Sequence, residues 1–90
     1  LPALPSALEL AAAGVRTGGD PRNRDYSGPH VESTATDAHE ALAFDPQTAG
    51  GLLVSLPADK AAVLVATFAD QGLELHRIGR VRAGSGVALG

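Results

Sequence analysis

Asp45-Pro46-Gln47-Thr48-Ala49-Gly50-Gly51-Leu52-Leu53-Val54 is the stretch on which the reading of this chain turns. It joins a helical pattern to an apolar run through a polar turn. Pro46 fixes its own φ and pushes Asp45 towards extended or turn geometry. Gly50 and Gly51 permit backbone angles and close approaches that a β-carbon would forbid. Residues 52–56 are mostly branched and apolar, as in a strand buried on both faces. Asp45, Gln47 and Thr48 place a carboxylate, an amide and a hydroxyl on that turn. They suit either an anionic ligand, directly or through a metal-bound phosphate, or a plain turn whose polar groups cap backbone. The residues alone leave both readings open.

Working outward, Pro57 suits the first turn of a helix. Ala61, Leu64, Val65 and Phe68 recur at i, i+3, i+4 and i+7, a helical stripe that Gly72 ends. Leu73 and Leu75 alternate with Glu74 and His76 as in a half-exposed strand, with a bulge or bend expected near residues 77–79. Residues 83–86 read as a turn before a short strand at 87–89. Strand, helix and strand over residues 51–78 predict a parallel pair with a right-handed crossover. Towards the N-terminus, Ser6-Ala7-Leu8-Glu9 has capping-box spacing for a helix over residues 7–13, and Gly14 suits its left-handed end. Residues 16–33 show no period and read as a long loop. Thr36 is placed to cap a second helix from Asp37 to about Ala43. The fold class expected is α+β, a small mixed sheet covered by helices, with residues 1–90 forming a single, partial domain.

Composition sets bounds. Ninety residues with two Phe, one Tyr and no Trp give a core of Leu, Val and Ala. A domain of this size is marginal. The net charge of −3 speaks against nucleic acid or an anionic membrane as a partner. No apolar run approaches the ~18 residues of a membrane span. The chain has no cysteine, hence no thiol nucleophile and no thiolate metal site. His30, His39 and His76 lack metal-ligand spacing and read as surface residues. Gly18-Gly19 followed by Arg22, Asn23 and Arg24 offers backbone N–H groups and guanidinium forks to a phosphate, or is simply an exposed loop. Asp20 would weaken phosphate binding if it pointed inward.

Three blocks of the sequence resemble the selenophosphate synthetase (selenide, water dikinase) family. The run from Asp45 is similar to that family's Asp-Pro-Gln-Thr-Ser-Gly-Gly-Leu-Leu signature, with Ala49 in place of Ser. Residues 4–15 with Gly18, Gly19 and Asn23 resemble an upstream block, in which Thr17 and Asp20 depart from the family's Pro-Gly-Gly-Thr wording. Ile78-Gly79-Arg80-Val81 is similar to its closing strand. The resemblance implies the later part of the C-terminal domain of an enzyme of the aminoimidazole ribotide synthetase-like superfamily. Such an enzyme makes selenophosphate, AMP and phosphate from selenide, ATP and water with Mg2+. The family's reactive Cys or selenocysteine, catalytic lysine and metal-binding aspartates belong to motifs that this chain does not contain. The resemblance therefore implies no catalytic residue and no metal ligand here, and no cofactor for the segment alone. Ligand-proximal candidates are Asp45, Gln47, Thr48, Gly50, Gly51, Gly18, Gly19 and Asn23. The partners implied are the N-terminal ATP-binding part of the same protein and a second copy of it, in the cytoplasm. The alternatives are a non-catalytic packing or dimer-support module, or another ATP-dependent enzyme of the superfamily.

Overall fold

The computed structural model describes residues 1–47 and 50–90. It contains four α-helices, α1 (Ala7–Ala12), α2 (Asp20–Ser27), α3 (Asp37–Phe44) and α4 (Ala58–Asp70). A 3-10 turn over Gly28–His30 and two short strands, β1 (Val31–Ser33) and β2 (Val87–Leu89), complete the described elements. This is an α+β arrangement. The residues group into two units, one formed by residues 3–50 with 83–90, the other by residues 51–82.

In the first unit, α3 packs on α1 and α2. Ala11 of α1 and Ala41 and Phe44 of α3 are buried, and Asp20 at the start of α2 is buried with them. Thr36 caps α3, its hydroxyl accepting from the His39 N–H at 3.4 Å and lying 2.8 Å from His39 Nδ1. The capping box expected at α1 does not form. Ser6 adopts a left-handed φ of 63° and its side chain makes no capping bond. In that conformation the hydroxyl is not presented to the free N–H groups of the first turn. Gly14 behaves as expected. Its φ of 85° closes α1, with Gly14 N–H donating to Ala11 O and Val15 N–H to Leu10 O.

Residues 16–33, read from sequence as a loop, carry α2, a 3-10 turn over Gly28–His30, and β1. The helix has no apolar stripe to announce it. It is held instead by Pro21 in its first turn and by the Asp20–Arg24 ion pair one turn apart. A further bond from Arg24 to Glu40 ties it to α3.

β1 and β2 pair in parallel, Val31 opposite Val87 and Ser33 opposite Leu89. The Thr34 N–H extends the ladder to Leu89 O at 2.8 Å. Gly86 is required where β2 begins: its φ is +86°, and a β-carbon there would lie 2.7 Å from the His30 carbonyl oxygen. The described sheet is thus two parallel strands, with no antiparallel member to make it mixed.

In the second unit, α4 forms where the apolar stripe placed it, and Ala61, Leu64 and Phe68 are its more covered residues. Gly72, at φ 70°, ends the helix as Gly14 ends α1: its N–H donates to Ala69 O and the Leu73 N–H to Phe68 O. The strands expected at residues 52–56 and 73–78, and their crossover pair, do not form among the described residues. Both segments lack a partner strand. Leu52 and Leu53 are 92% and 83% exposed, so the surface that would make them strands is unfilled.

Candidate functional site

The segment from Gly19 to Arg24 meets the start of the Asp45 turn, residues 44–46, in the first unit. α3 ends at Phe44, and Asp45 leaves it with extended angles, φ −63° and ψ 129°. The carbonyl groups of a helix's last turn have no partner within the helix. Asn23 of α2 supplies one, its Nδ2 donating to Phe44 O at 2.8 Å. Next along the chain, the Pro46 ring lies against Gly19, where an added β-carbon would be 2.7 Å from Pro46 Cγ. Gly19 therefore matters here for close approach rather than for an unusual φ.

Arg24 fastens the same seam from the other side. Its Nε donates to Asp20 Oδ1 at 2.8 Å and its Nη1 to Glu40 Oε1 at 2.7 Å, and its guanidinium stands 4.7 Å from the centre of the Phe44 ring. The bonds to Asp20 and then Glu40 raise the Arg24 pKa above its ordinary value. Hydrogen bonding from Ser33, followed by that from Arg24, holds the Glu40 carboxyl below the usual range. Arg24 is thus spent on internal carboxylates, which removes it from the anion-binding loop that the sequence offered.

Three oxygen atoms in this region are buried without a hydrogen-bond partner among the described residues: Thr17 Oγ1, Asp20 Oδ2 and Asp45 Oδ1. An orphaned buried polar atom costs about 1–3 kcal/mol. Two of the three are carboxylate oxygens. They suit an N–H or O–H donor, or a hard cation, and would repel a bare anion.

The other candidates are less engaged. Gly18 has open space around it, Gln47 is exposed, and Gly50 is exposed with no neighbour where a β-carbon would stand. Thr48 lies outside the described residues. Gly51 belongs to the second unit and is exposed. The three histidines are exposed, as expected. Sequence reasoning undervalued Asp20 and Thr17, treating them as departures from a motif. The one available signal was the i, i+4 spacing of Asp20 and Arg24.

A resident Mg2+ does not fit this segment by itself. Among the described residues no three of His, Cys, Asp and Glu come together in a group able to hold a metal ion. Two carboxylates and a hydroxyl fall short of the six oxygen ligands of Mg2+, which waters and substrate phosphates commonly complete.

Comparison with known proteins gives the wider setting. The chain is 48% identical over 88 residues to a selenide, water dikinase of Pseudomonas straminea, covering 94% of the chain and 25% of that protein. A selenide, water dikinase of Shewanella sp. (strain ANA-3) is 42% identical over 85 residues, covering 94% of the chain and 22% of the relative. For that of Pseudomonas putida the identity is 41% over 81 residues, 90% of the chain and 23% of the relative. No family model and no solved structure matches. The chain spans about a quarter of the length of these curated relatives. Over nearly all of its own length, the chain is therefore homologous to a quarter-length portion of selenide, water dikinase, the selenophosphate synthetase family.

Proposed function

We propose that this segment serves a selenide, water dikinase, a phosphotransferase that converts ATP, selenide and water into selenophosphate, AMP and phosphate. The observation that carries this reading is the 48% identity to the Pseudomonas straminea protein over 94% of the chain. Within such an enzyme the segment is a support. Its turn at Asp45 stands at the edge of a ligand site whose ATP-binding, Mg2+-holding and reactive groups come from the rest of the protein. Mg2+, when bound, neutralises phosphate charge during transfer. What this chain contributes is an oriented carboxylate at Asp45, held by Asn23 and Gly19 on its two flanks. The partner is accordingly the ATP-binding part of the same protein, in a cytoplasmic homodimer. No helix among the described residues is long and apolar enough to cross a membrane.

A second reading has its own observation. Leu52, Leu53, Val63 and Val81 are more than half exposed in the second unit, and α4 has no buried residue. This favours a packing module whose apolar residues are covered within the longer protein, with no ligand contact at all.

Calorimetry with Mg2+-ATP on this chain and on a protein of the relatives' full length separates the readings, together with selenide-dependent AMP formation by the latter. Binding and AMP formation by the long protein alone support the first. Binding by the 90-residue chain would make it a nucleotide site in its own right. If Asp45→Asn and Thr48→Ala leave turnover unchanged while lowering the melting temperature, the packing reading stands.

A further inference from the structure

We infer that Asn23 is a positioning residue for the Asp45 carboxylate. The inference rests on the reading that the Asp45 turn faces a ligand, and adds what holds that turn in place. Asp45 is pinned on both sides. Before it, the Phe44 carbonyl receives the Asn23 amide at 2.8 Å, which fixes the plane of the Phe44–Asp45 peptide. After it, Pro46 has a ring-locked φ and is seated on Gly19, with no room for a β-carbon between them. Both contacts come from one turn of α2, where the Asn23 N–H donates to Gly19 O at 3.1 Å. The α2 turn is itself anchored on α3 through Arg24 and Glu40. What remains at Asp45 is its side chain, and Oδ1 of that side chain is buried with no hydrogen-bond partner among the described residues.

The ordinary use of such a bond is to cap a helix, and Asn23 does cap α3. Capping alone accounts for neither the second pin at Pro46 nor the unpartnered carboxylate oxygen between the two pins. A structure that constrains the backbone around an unsatisfied acceptor keeps that acceptor ready for a donor or hard cation brought by the rest of the site.

The test uses Asn23→Asp, which keeps the shape and removes the donor, and Asn23→Gln, which keeps the donor on a longer arm. In the full-length enzyme, Asn23→Asp is expected to lower kcat about tenfold, equal to about 1.4 kcal/mol of barrier, with the KM for ATP changed less than about twofold. Asn23→Gln recovers part of it. Combined with Asp45→Asn, Asn23→Asp costs nothing further, because its effect passes through Asp45. Effects that multiply, or a lowered melting temperature with unchanged kcat, overturn the assignment. NMR on the 90-residue chain gives a readout free of activity. Asn23→Asp should lower the 1H–15N heteronuclear NOE at Asp45 and Gln47 and leave α1 unchanged; unaltered values at Asp45 overturn the proposal. Should Asp45→Asn leave turnover intact, the ligand-side reading of the turn fails. The NOE result then decides the positioning of Asp45 by itself.

Discussion

α3 and α4 begin from similar instructions and end differently. Each follows a start signal, Thr36 for one and Pro57 for the other, and each carries apolar residues at helical spacing. α4 is the longer, at 13 residues against eight. Yet α3 buries Ala41 and Phe44, and α4 buries nothing. The difference lies in what surrounds them. α3 lies against α1 and α2 and is stapled by Asn23 and Arg24. Within its own unit, α4 has only unpaired extended segments to lean on. Periodicity makes a helix; a neighbouring surface makes it a core element.

The largest break of that contrast is Phe44→Ala. Phe44 is buried and faces Arg24, so its truncation should cost about 3–5 kcal/mol, enough to unfold a domain of this size in a urea titration. Gly19→Ala comes next. The β-carbon must displace the stiff Pro46 ring, and overpacking of this kind costs about 1–3 kcal/mol, read as a lowered melting temperature.

A pH titration sharpens the role of the Arg24 bridge. The Glu40 pKa is lowered in the folded chain by Ser33 and Arg24. The stability it contributes is therefore complete above the ordinary glutamate range and is lost as pH falls through the lowered value. Glu40→Gln should flatten that part of the stability profile and leave the profile near neutral pH parallel to the parent's. The Arg24 pKa, being raised, leaves the arginine charged throughout and adds no pH dependence there.

A smaller effect comes from Thr36→Ala, which removes the α3 cap at a cost of about 0.5–1 kcal/mol. Ser6→Ala removes no capping bond from α1; the matched pair of melting temperatures checks this asymmetry. Smallest of all is Val63→Ala in α4. Val63 is 67% exposed, so the 90-residue chain should change by less than about 0.5 kcal/mol. A larger loss at Val63 would show that α4 has a covering surface after all.

The same contrast explains how much was legible. Thr36, Gly14, Gly72 and the Ala61–Leu64–Phe68 stripe act locally, and each produced its element. α2 was hidden because a polar helix announces itself through partners, here Glu40 and Phe44, that lie 16 and 21 residues away along the chain. Ser6 offered a cap by composition and declined it by conformation. The run at residues 52–56 reads as a strand, but strands are made by neighbours, and none stands beside it among the described residues. At the site, the motif signalled Asp45, Gly19 and Asn23. It did not signal that Asn23 reaches Phe44, because a side-chain to backbone bond across two elements leaves no spacing rule behind.

The β1–β2 pair has a kinetic consequence. Thr34 and Leu89, joined at its end, are 55 residues apart in sequence. Closing a loop of that length costs on the order of 3–4 kcal/mol of chain entropy, while three residues of parallel ladder return little until the helices beside them are in place. The pair is thus expected to form late in folding, because residues 51–82 lie between its two strands in sequence and its ends must find each other across them. Its formation reports the completion of the first unit, as a clasp reports that a necklace has been fastened.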